Sequence, residues 1–297
     1  MNEKKYLLKN KLIKTALFVF AISIASLSAF AQKNDVDRER NTPVEPFRII
    51  GNVYYVGASE VTAFLITTPQ GHILLDGGFA ATASQIKENI EKLGFKMSDV
   101  KYLLNSQAHY DHAGGLAELK RLTGARMVAS AGDKPQLENG GKNDFHLGDR
   151  GDFEPVAVDR IIRDGEQLSL GGVNVKALLT PGHTKGCTSW TLEAAENDRK
   201  YTIVFVGSTT SLDYKLRKNE KYPSIARDFE KTFRVLKKVK ADVFLASHGS
   251  FFDLAEKAAR LKKGESPNPF IDPQGYREFI AATEKDFREK LAKQSAD

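Results

Sequence analysis

Three side chains that can bind a metal stand within four residues of one another in the stretch VKYLLNSQAHYDHAGGL. His109, Asp111 and His112 follow a short apolar run that is typical of a buried strand, and two glycines and a helical pattern come after them. Imidazole nitrogens and carboxylate oxygens are donors that Zn²⁺ takes at about 2 Å in a tetrahedral shell. The stretch predicts a metal site; a polar turn that only satisfies backbone groups is the alternative.

Two further histidines occur in the same setting, at the end of an apolar strand. His183 lies in TPGHT directly after VKALL, and His248 lies in SHG directly after VFLA. One histidine after a strand is usually a hydrogen-bonded loop residue, but rigid strands that each end in a histidine are how a scaffold fixes a set of ligands. His72 lacks this setting and is predicted to be structural, whereas His146 lies on a loop that could face a substrate.

The elements that must position these residues alternate along the chain. Runs such as FRIIGNVYYVG, VTAFLITTP and HILLDGG predict hairpin strands, and apolar residues at helical spacing predict a helix over 82–93. Further strands are predicted over 173–179, 188–192, 201–206 and 243–246, with helices over 224–240 and 276–291. Two groups of strands, each with helices, predict an α/β fold in which two sheets face each other with helices outside.

Two segments lack such periodicity. Residues 32–46 are polar and predict a loose arm, and residues 139–155 are rich in glycine and charge. A long loop of the second kind is either a lid over a site or a solvated surface loop. With no repeat or linker in the sequence, residues 32–297 are predicted to form one domain.

The N-terminus has the pattern of an export signal. Five lysines precede an apolar run from Thr15 to Phe30, which ends in a small-x-small pattern at Ala31. The run is shorter than the roughly 20 apolar residues of a membrane span, so residues 1–31 predict a cleaved signal peptide, a periplasmic protein and no remaining membrane anchor.

Charge and cysteine content narrow the function further. The chain has a net charge of +6, but residues 1–31 hold five Lys and one Glu, which leaves 39 basic and 37 acidic residues. This balance gives no reason to expect a nucleic-acid partner. Cys187 is the one cysteine and cannot form an internal disulfide. We expect a monomer with a large core and a small-molecule substrate.

Together, the motifs resemble those of the metallo-β-lactamase superfamily. The motifs LLDGG, HYDH, PGHT and SHG occur in that family's order and rough spacing over nearly the whole chain after the signal. The resemblance implies the family's αββα sandwich and up to two zinc ions. By the family's pattern, one zinc site uses Gln107, His109 and His183, and the other uses Asp111, His112 and His248.

The position after Gly207 distinguishes members of the family. Glyoxalase II and many relatives carry an aspartate there that bridges two metals, and the B1 and B2 β-lactamases carry a cysteine at that level; this chain has Ser208. A non-ligand here, with His112 in use, is similar to subclass B3. The resemblance thus implies hydrolysis of the β-lactam amide by a zinc-bound hydroxide that Asp111 orients, with carbapenems among the substrates.

Other roles follow from the same resemblance. Ser208 would bond a zinc-bound water, Thr210 or Ser211 would receive the substrate carboxylate, and His146 would face the substrate; a plain Ser/Thr turn is the alternative. Cys187 is expected to be a packed side chain rather than a nucleophile. A lactonase, a thioesterase, or a non-catalytic exported zinc-binding protein remain alternative functions.

The chain departs from the family at the first motif residue, where Gln107 replaces the usual histidine. A minority group of B3 enzymes, the GOB-type group, also has glutamine here, and the QAHYDH and TPGHTKG sequences resemble that group. A neutral amide oxygen is a weaker zinc donor than imidazole. We therefore expect one or two zinc ions, with the Asp111/His112/His248 site tighter than the Gln107/His109/His183 site.

Replacing the amide with an imidazole tests this order of affinities. We expect Gln107→His to raise the number of zinc ions bound per protein at low zinc, because imidazole strengthens the weaker site. Zinc content is measured by atomic absorption after dialysis at several zinc concentrations. Identical stoichiometry for both proteins across the titration would contradict the prediction.

Overall fold

Two mixed sheets face each other in a computed structural model that describes residues 37–294. The predicted signal peptide lies outside these residues. The first sheet has seven strands in chain order: β1 (Phe47–Ile50), β2 (Val53–Tyr55), β3 (Phe64–Thr68), β4 (Gly71–Leu75), β5 (Val100–Leu104), β6 (Arg126–Ser130) and β7 (Arg160–Ile162). The second has five in the order β12-β11-β10-β9-β8: β8 (Gln167–Leu170), β9 (Val173–Leu179), β10 (Thr188–Glu196), β11 (Arg199–Val206) and β12 (Val243–Ala246).

Seven α-helices lie wholly within the described residues. They are α1 (Thr82–Lys92), α2 (Tyr110–Ala113), α3 (Leu116–Thr123), α4 (Lys134–Glu138), α5 (Ile225–Leu236), α6 (Leu254–Lys262) and α7 (Pro273–Lys293). The predicted α/β sandwich with outer helices is confirmed. Strands β7 and β8 and helices α2, α4 and α6 were not predicted. Within residues 37–294, no helix combines the length and hydrophobicity that a membrane span needs.

Alternating side chains place the two faces of the first sheet in different cores. On β3, Phe64 joins the core between the sheets, where its ring lies 5.1 Å from the ring of Phe205 on β11. Leu65, its neighbour, points the other way into a second core that includes Ile86 and Ile90 of α1. Because successive strand residues face opposite sides, both faces of the sheet are apolar and both are covered.

The strand directions bring the polar turns to shared edges. Strands β4, β5, β6 and β7 pair in parallel, and so do β11 and β12. Because parallel strands end at the same edge, the turn that holds His109 and His112 lies beside Asp76, which follows β4. His248, which follows β12, lies at the same edge as Ser208, which follows β11.

The predicted loose arm is wrong for its described part, residues 37–46. Residues 37–40 are helical, and the backbone carbonyl of Arg40 accepts hydrogen bonds from the amides of Glu60 and Val61, at 3.1 and 3.3 Å. The Asn41 side chain also accepts a hydrogen bond from the Thr82 hydroxyl, at 2.6 Å. This segment is held by hydrogen bonds to polar groups rather than by apolar packing. A sequence without hydrophobic periodicity can therefore still have a fixed structure.

Helix α5 supports the turn that carries His183. A Cβ on Gly182 would lie 2.7 Å from the ring of Phe229, so this ring packs directly against the turn. Phe229 is fully buried and also stacks on Phe287 of α7, with ring centroids 5.1 Å apart. The position of His183 therefore depends on the aromatic core beneath the second sheet.

Removing that ring should cost much of the stability. We expect Phe229→Ala to lower the free energy of unfolding by about 3–5 kcal/mol, the range for deleting a buried phenylalanine ring. Urea unfolding measures the change, with Leu122→Ala as a control because Leu122 is 38% exposed. A loss below about 1 kcal/mol would contradict the close packing of the Phe229 ring in the core.

Candidate metal centre

Two pairs of imidazoles meet between the sheets. His109 Nδ1 lies 3.1 Å from His183 Nε2, and His112 Nε2 lies 3.2 Å from His248 Nε2. In each pair one histidine comes from the segment after β5 in the first sheet, where His109 precedes the short helix α2 and His112 lies on it, and the other follows a strand of the second sheet. The predicted histidines thus converge, and each pair joins the two sheets.

These spacings suit two ligands of one zinc ion. Ligand nitrogens about 2.0–2.1 Å from a tetrahedral zinc ion lie about 3.3 Å from each other. Asp111 completes a group with His112 and His248 in which the donor atoms all lie within 4.8 Å of one another. The residues present therefore fit the metal that the sequence predicts.

Hydrogen bonding leaves the ligand nitrogen of His183 free to bind. Its Nδ1 lies 2.7 Å from the backbone carbonyl of Thr210, which can only accept a hydrogen bond, so Nδ1 carries the proton. The neutral ring then has its lone pair on Nε2, the atom that faces His109. An outer acceptor of this kind fixes the tautomer and the orientation of a metal-binding histidine.

The outer nitrogens of the two motif histidines also face oxygen atoms. His112 Nδ1 lies 3.7 Å from Asp76 Oδ2, and His109 Nε2 lies 3.8 Å from Asp144 Oδ2. Burial lowers the pKa of His109, and it lowers the pKa of His112 to about 3. Both rings are therefore neutral at pH 7, which is the form that binds a metal.

Asp111 is held as an anion beside these rings. Its Oδ2 accepts a hydrogen bond from Arg40, with an N···O distance of 2.8 Å. Burial pushes the pKa of Asp111 up, but the imidazoles of His112 and His248 and the Arg40 guanidinium outweigh that effect and hold the pKa well below its ordinary value. The carboxylate is thus available as a ligand at any ordinary pH.

Gln107 carries an unpaired acceptor inside the protein. The side chain is fully buried, and its Nε2 lies 3.4 Å from the Gly207 carbonyl and from Ser247 Oγ. Its Oε1 has no hydrogen-bond partner. A buried acceptor without a partner costs free energy, and a cation would satisfy it, as expected for a ligand position.

A cavity of about 410 Å³ opens beside the centre. Its walls include His109, Asp111, His183 and His248, together with Thr210 and His146. His146 and Leu147 belong to the 139–155 loop, so this loop covers part of the site rather than only solvent-exposed surface. Ser208 and Ser211 are buried and do not form the cavity wall; Ser208 Oγ instead lies 3.1 Å from Thr210 Oγ1. Their predicted contacts with water and substrate stay predictions.

Five cavity residues outside the 139–155 loop were not predicted from the sequence: Arg40, Glu60, Tyr110, Leu212 and Phe251. Arg40 lies in the segment for which the sequence predicts a loose arm, and Glu60 lies in a connection without a recognisable motif. Leu212 and Phe251 directly follow predicted polar turns, and an apolar residue at such a position is the signal in the sequence that points to a cavity wall. Leu212 is 45% exposed and has a left-handed backbone conformation, with φ of 40°.

Cys187 and Tyr110 have structural surroundings. Cys187 is fully buried, and burial raises the pKa of its thiol, so it is a packed side chain rather than a nucleophile. The Tyr110 hydroxyl donates a hydrogen bond to Asp37, and the Tyr110 ring lies 5.7 Å from the ring of Phe79. His72, predicted to be structural, packs edge-on against Phe95.

An αββα sandwich with a His/Asp centre between its sheets defines a class of metal-dependent hydrolases. The family model of the metallo-β-lactamase superfamily matches residues 56–248 of this chain. That range contains every histidine and aspartate of the centre. The chain belongs to the metallo-β-lactamase superfamily: it is a hydrolase of that fold, and the fold implies zinc binding.

Solved structures of β-lactamases match almost end to end. A metallo-β-lactamase of Cronobacter sakazakii with a HARLDQ motif is 44% identical over 88% of this chain and 100% of that one, with a TM-score of 0.85. The FEZ-1 metallo-β-lactamase from Legionella gormanii is 42% identical over 86% and 99%, with a TM-score of 0.84. BJP-1, a subclass B3 enzyme of Bradyrhizobium japonicum, is 39% identical over 86% and 97%, with a TM-score of 0.81.

Curated relatives found by sequence match over shorter stretches. A hydroxyacylglutathione hydrolase of Methylococcus capsulatus is 30% identical over 113 residues, which are 38% of this chain and 36% of that protein. A probable metallo-hydrolase of Burkholderia pseudomallei is 29% identical over 131 residues, 43% of each protein. The chain therefore spans less than half the length of these relatives.

The buried neutral His112 predicts a pH dependence for the zinc-free protein. Below pH 6.5 the unfolded chain binds a proton at this histidine that the folded protein excludes until about pH 3, so the free energy of unfolding falls as the pH falls. Between pH 7 and pH 5 the free energy of unfolding of the wild type should fall by about 2 kcal/mol more than that of His112→Asn. Urea unfolding of both proteins with a chelator present measures this difference. If the difference between the two proteins is the same at pH 7 and pH 5, His112 is not neutral in the folded protein.

Proposed function

We propose that the protein is a zinc-dependent β-lactamase of the subclass B3 type. The proposal rests on the residue at the end of β11, which is Ser208. Its hydroxyl lies 3.1 Å from the Thr210 hydroxyl. A serine at this position cannot bridge two metal ions as an aspartate does. The end-to-end similarity to solved β-lactamases supports the same choice.

The chain's own residues would bind and orient the substrate in the cavity. When bound, zinc supplies an activated water and a positive charge for the departing amide nitrogen. The Asp111 carboxylate would orient the nucleophile, and the Thr210 hydroxyl, which lines the cavity, would donate to a substrate carboxylate. His146 and Leu147 close one side of the cavity, and Phe251 and Leu212 offer apolar contacts to substrate side groups.

We also propose an order of metal binding and a location. The Asp111/His112/His248 site offers a carboxylate and two imidazoles, whereas the Gln107/His109/His183 site offers an amide oxygen in place of the carboxylate. The first set should fill before the second. Export by residues 1–31, with cleavage after Ala31, would bring the enzyme to the periplasm, where β-lactams act, and would give its host antibiotic resistance.

Carbapenem hydrolysis tests this function directly. The full chain is expressed in a Gram-negative host, and the periplasmic fraction is mixed with a carbapenem. Hydrolysis is measured as the loss of the carbapenem's ultraviolet absorbance. We expect hydrolysis that a chelator abolishes and that added zinc restores. Asp111→Asn should lower kcat by about 100-fold or more, because it removes the anionic ligand and orienting group.

A thioesterase is the second candidate, because the curated relatives include hydroxyacylglutathione hydrolases. The same zinc-loaded protein is therefore assayed with a glutathione thioester and with a lactone. Turnover of either substrate without carbapenem hydrolysis would contradict the β-lactamase proposal. A folded protein that binds zinc and hydrolyses none of the three substrates would contradict an enzymatic function of this kind.

A further inference from the structure

His248 differs from the other three histidines of the centre in what its outer nitrogen contacts. His183, His112 and His109 each present that nitrogen to an oxygen, at 2.7, 3.7 and 3.8 Å respectively. His248 Nδ1 lies 3.7 Å from Glu60 Oε1, but it also lies 3.3 Å from an Arg40 nitrogen. An anion and a cation thus compete for one ring nitrogen.

The two neighbours require opposite tautomers of the ring. A guanidinium has no acceptor, so the contact with Arg40 places a lone pair on Nδ1 and the proton of a neutral ring on Nε2. A carboxylate can only accept, so a bond to Glu60 places the proton on Nδ1 and leaves Nε2 free. His248 Nε2 is the atom that faces His112 and Asp111, at 3.2 and 3.9 Å, so only the second tautomer can bind a metal there.

We propose that Glu60 is the positioning residue that prepares His248 for metal, and that Arg40 opposes it by holding the other tautomer. Metal binding would then favour the tautomer with the proton on Nδ1, where the N–H donates a hydrogen bond to Glu60 and Nε2 keeps its lone pair for the metal. The N–H bond at Nε2 is replaced by one at Nδ1, the Arg40 contact with Nδ1 is lost, and the ring stays neutral. The proposal rests on metal binding and not on the β-lactamase assignment.

The surroundings of both side chains fit these roles. Glu60 is held in place because its carboxylate accepts hydrogen bonds from the Ser250 amide and hydroxyl, at 3.0 and 2.6 Å, and because its backbone carbonyl accepts one from the Gly249 amide. Arg40 is held by its backbone beside Glu60 and by its bond to Asp111. Its charge next to the ligand Asp111 also opposes a metal cation electrostatically.

The tautomer of His248 can be observed directly by nuclear magnetic resonance of the full-length wild-type protein. With ¹⁵N-labelled histidine, two-bond couplings distinguish the Nε2–H and Nδ1–H forms, and loss of the signal in His248→Gln assigns the ring. We expect the Nε2–H form without zinc and the Nδ1–H form after one equivalent of zinc. An Nδ1–H form in both states would overturn the proposal.

Zinc affinity of two variants provides the second test, by competition with a chromophoric chelator. We expect Glu60→Met to weaken binding of the first zinc ion by about tenfold or more, the usual effect of losing such an acceptor. Glu60→Gln keeps an acceptor oxygen and should recover most of that loss. Arg40→Met should strengthen binding by about fivefold, because the cation that contacts Asp111 and His248 is removed.

Controls separate this effect from general damage to the fold. Arg48→Met and Glu193→Met change the same residue types on exposed ion pairs away from the centre and should leave zinc affinity unchanged. A shift of zinc affinity in the same direction for Glu60→Met and Arg40→Met would overturn the proposal, as would equal losses for Glu60→Met and Glu60→Gln. Failure to hydrolyse carbapenems affects none of these measurements.

Discussion

The packing of the two sheets against each other sets the geometry of the metal centre, because two imidazole pairs span them. His109 with His183 and His112 with His248 each bring together one residue from the first sheet and one from the second. The facing sheets, the core between them and the aromatic support beneath the His183 turn all fix the distance across these pairs. Ligands that belong to two rigid sheets can be held at metal-binding distances without flexible loops.

Burial decides the chemistry that these side chains can perform. Removal from water lowers the pKa values of the buried histidines, so they offer lone pairs rather than positive charges. The same burial raises the pKa of Asp111, and the neighbouring imidazoles and Arg40 together lower it again, so that this residue is anionic. A neutral ligand set around one stabilised carboxylate suits a divalent cation, and it leaves the adjacent cavity free for a substrate.

The sequence predicts the centre better than its surroundings for a physical reason. His109, His183 and His248 each follow an apolar strand, and strand patterns depend on local alternation that one sequence displays. Arg40 and Glu60 contact residues that are distant in the chain; for example, 71 positions separate Arg40 from Asp111. No local sequence pattern encodes such contacts. The short strands β7 and β8 carry too few residues for a period to be recognised.

Crystals grown with one equivalent of zinc, measured at the zinc absorption edge, test most directly the proposal that the Asp111/His112/His248 site fills first. We expect one anomalous peak among Asp111, His112 and His248, and a second peak beside His109 and His183 only at higher zinc. A first peak beside His109 and His183, or no peak at either place in a well-folded crystal, would contradict it.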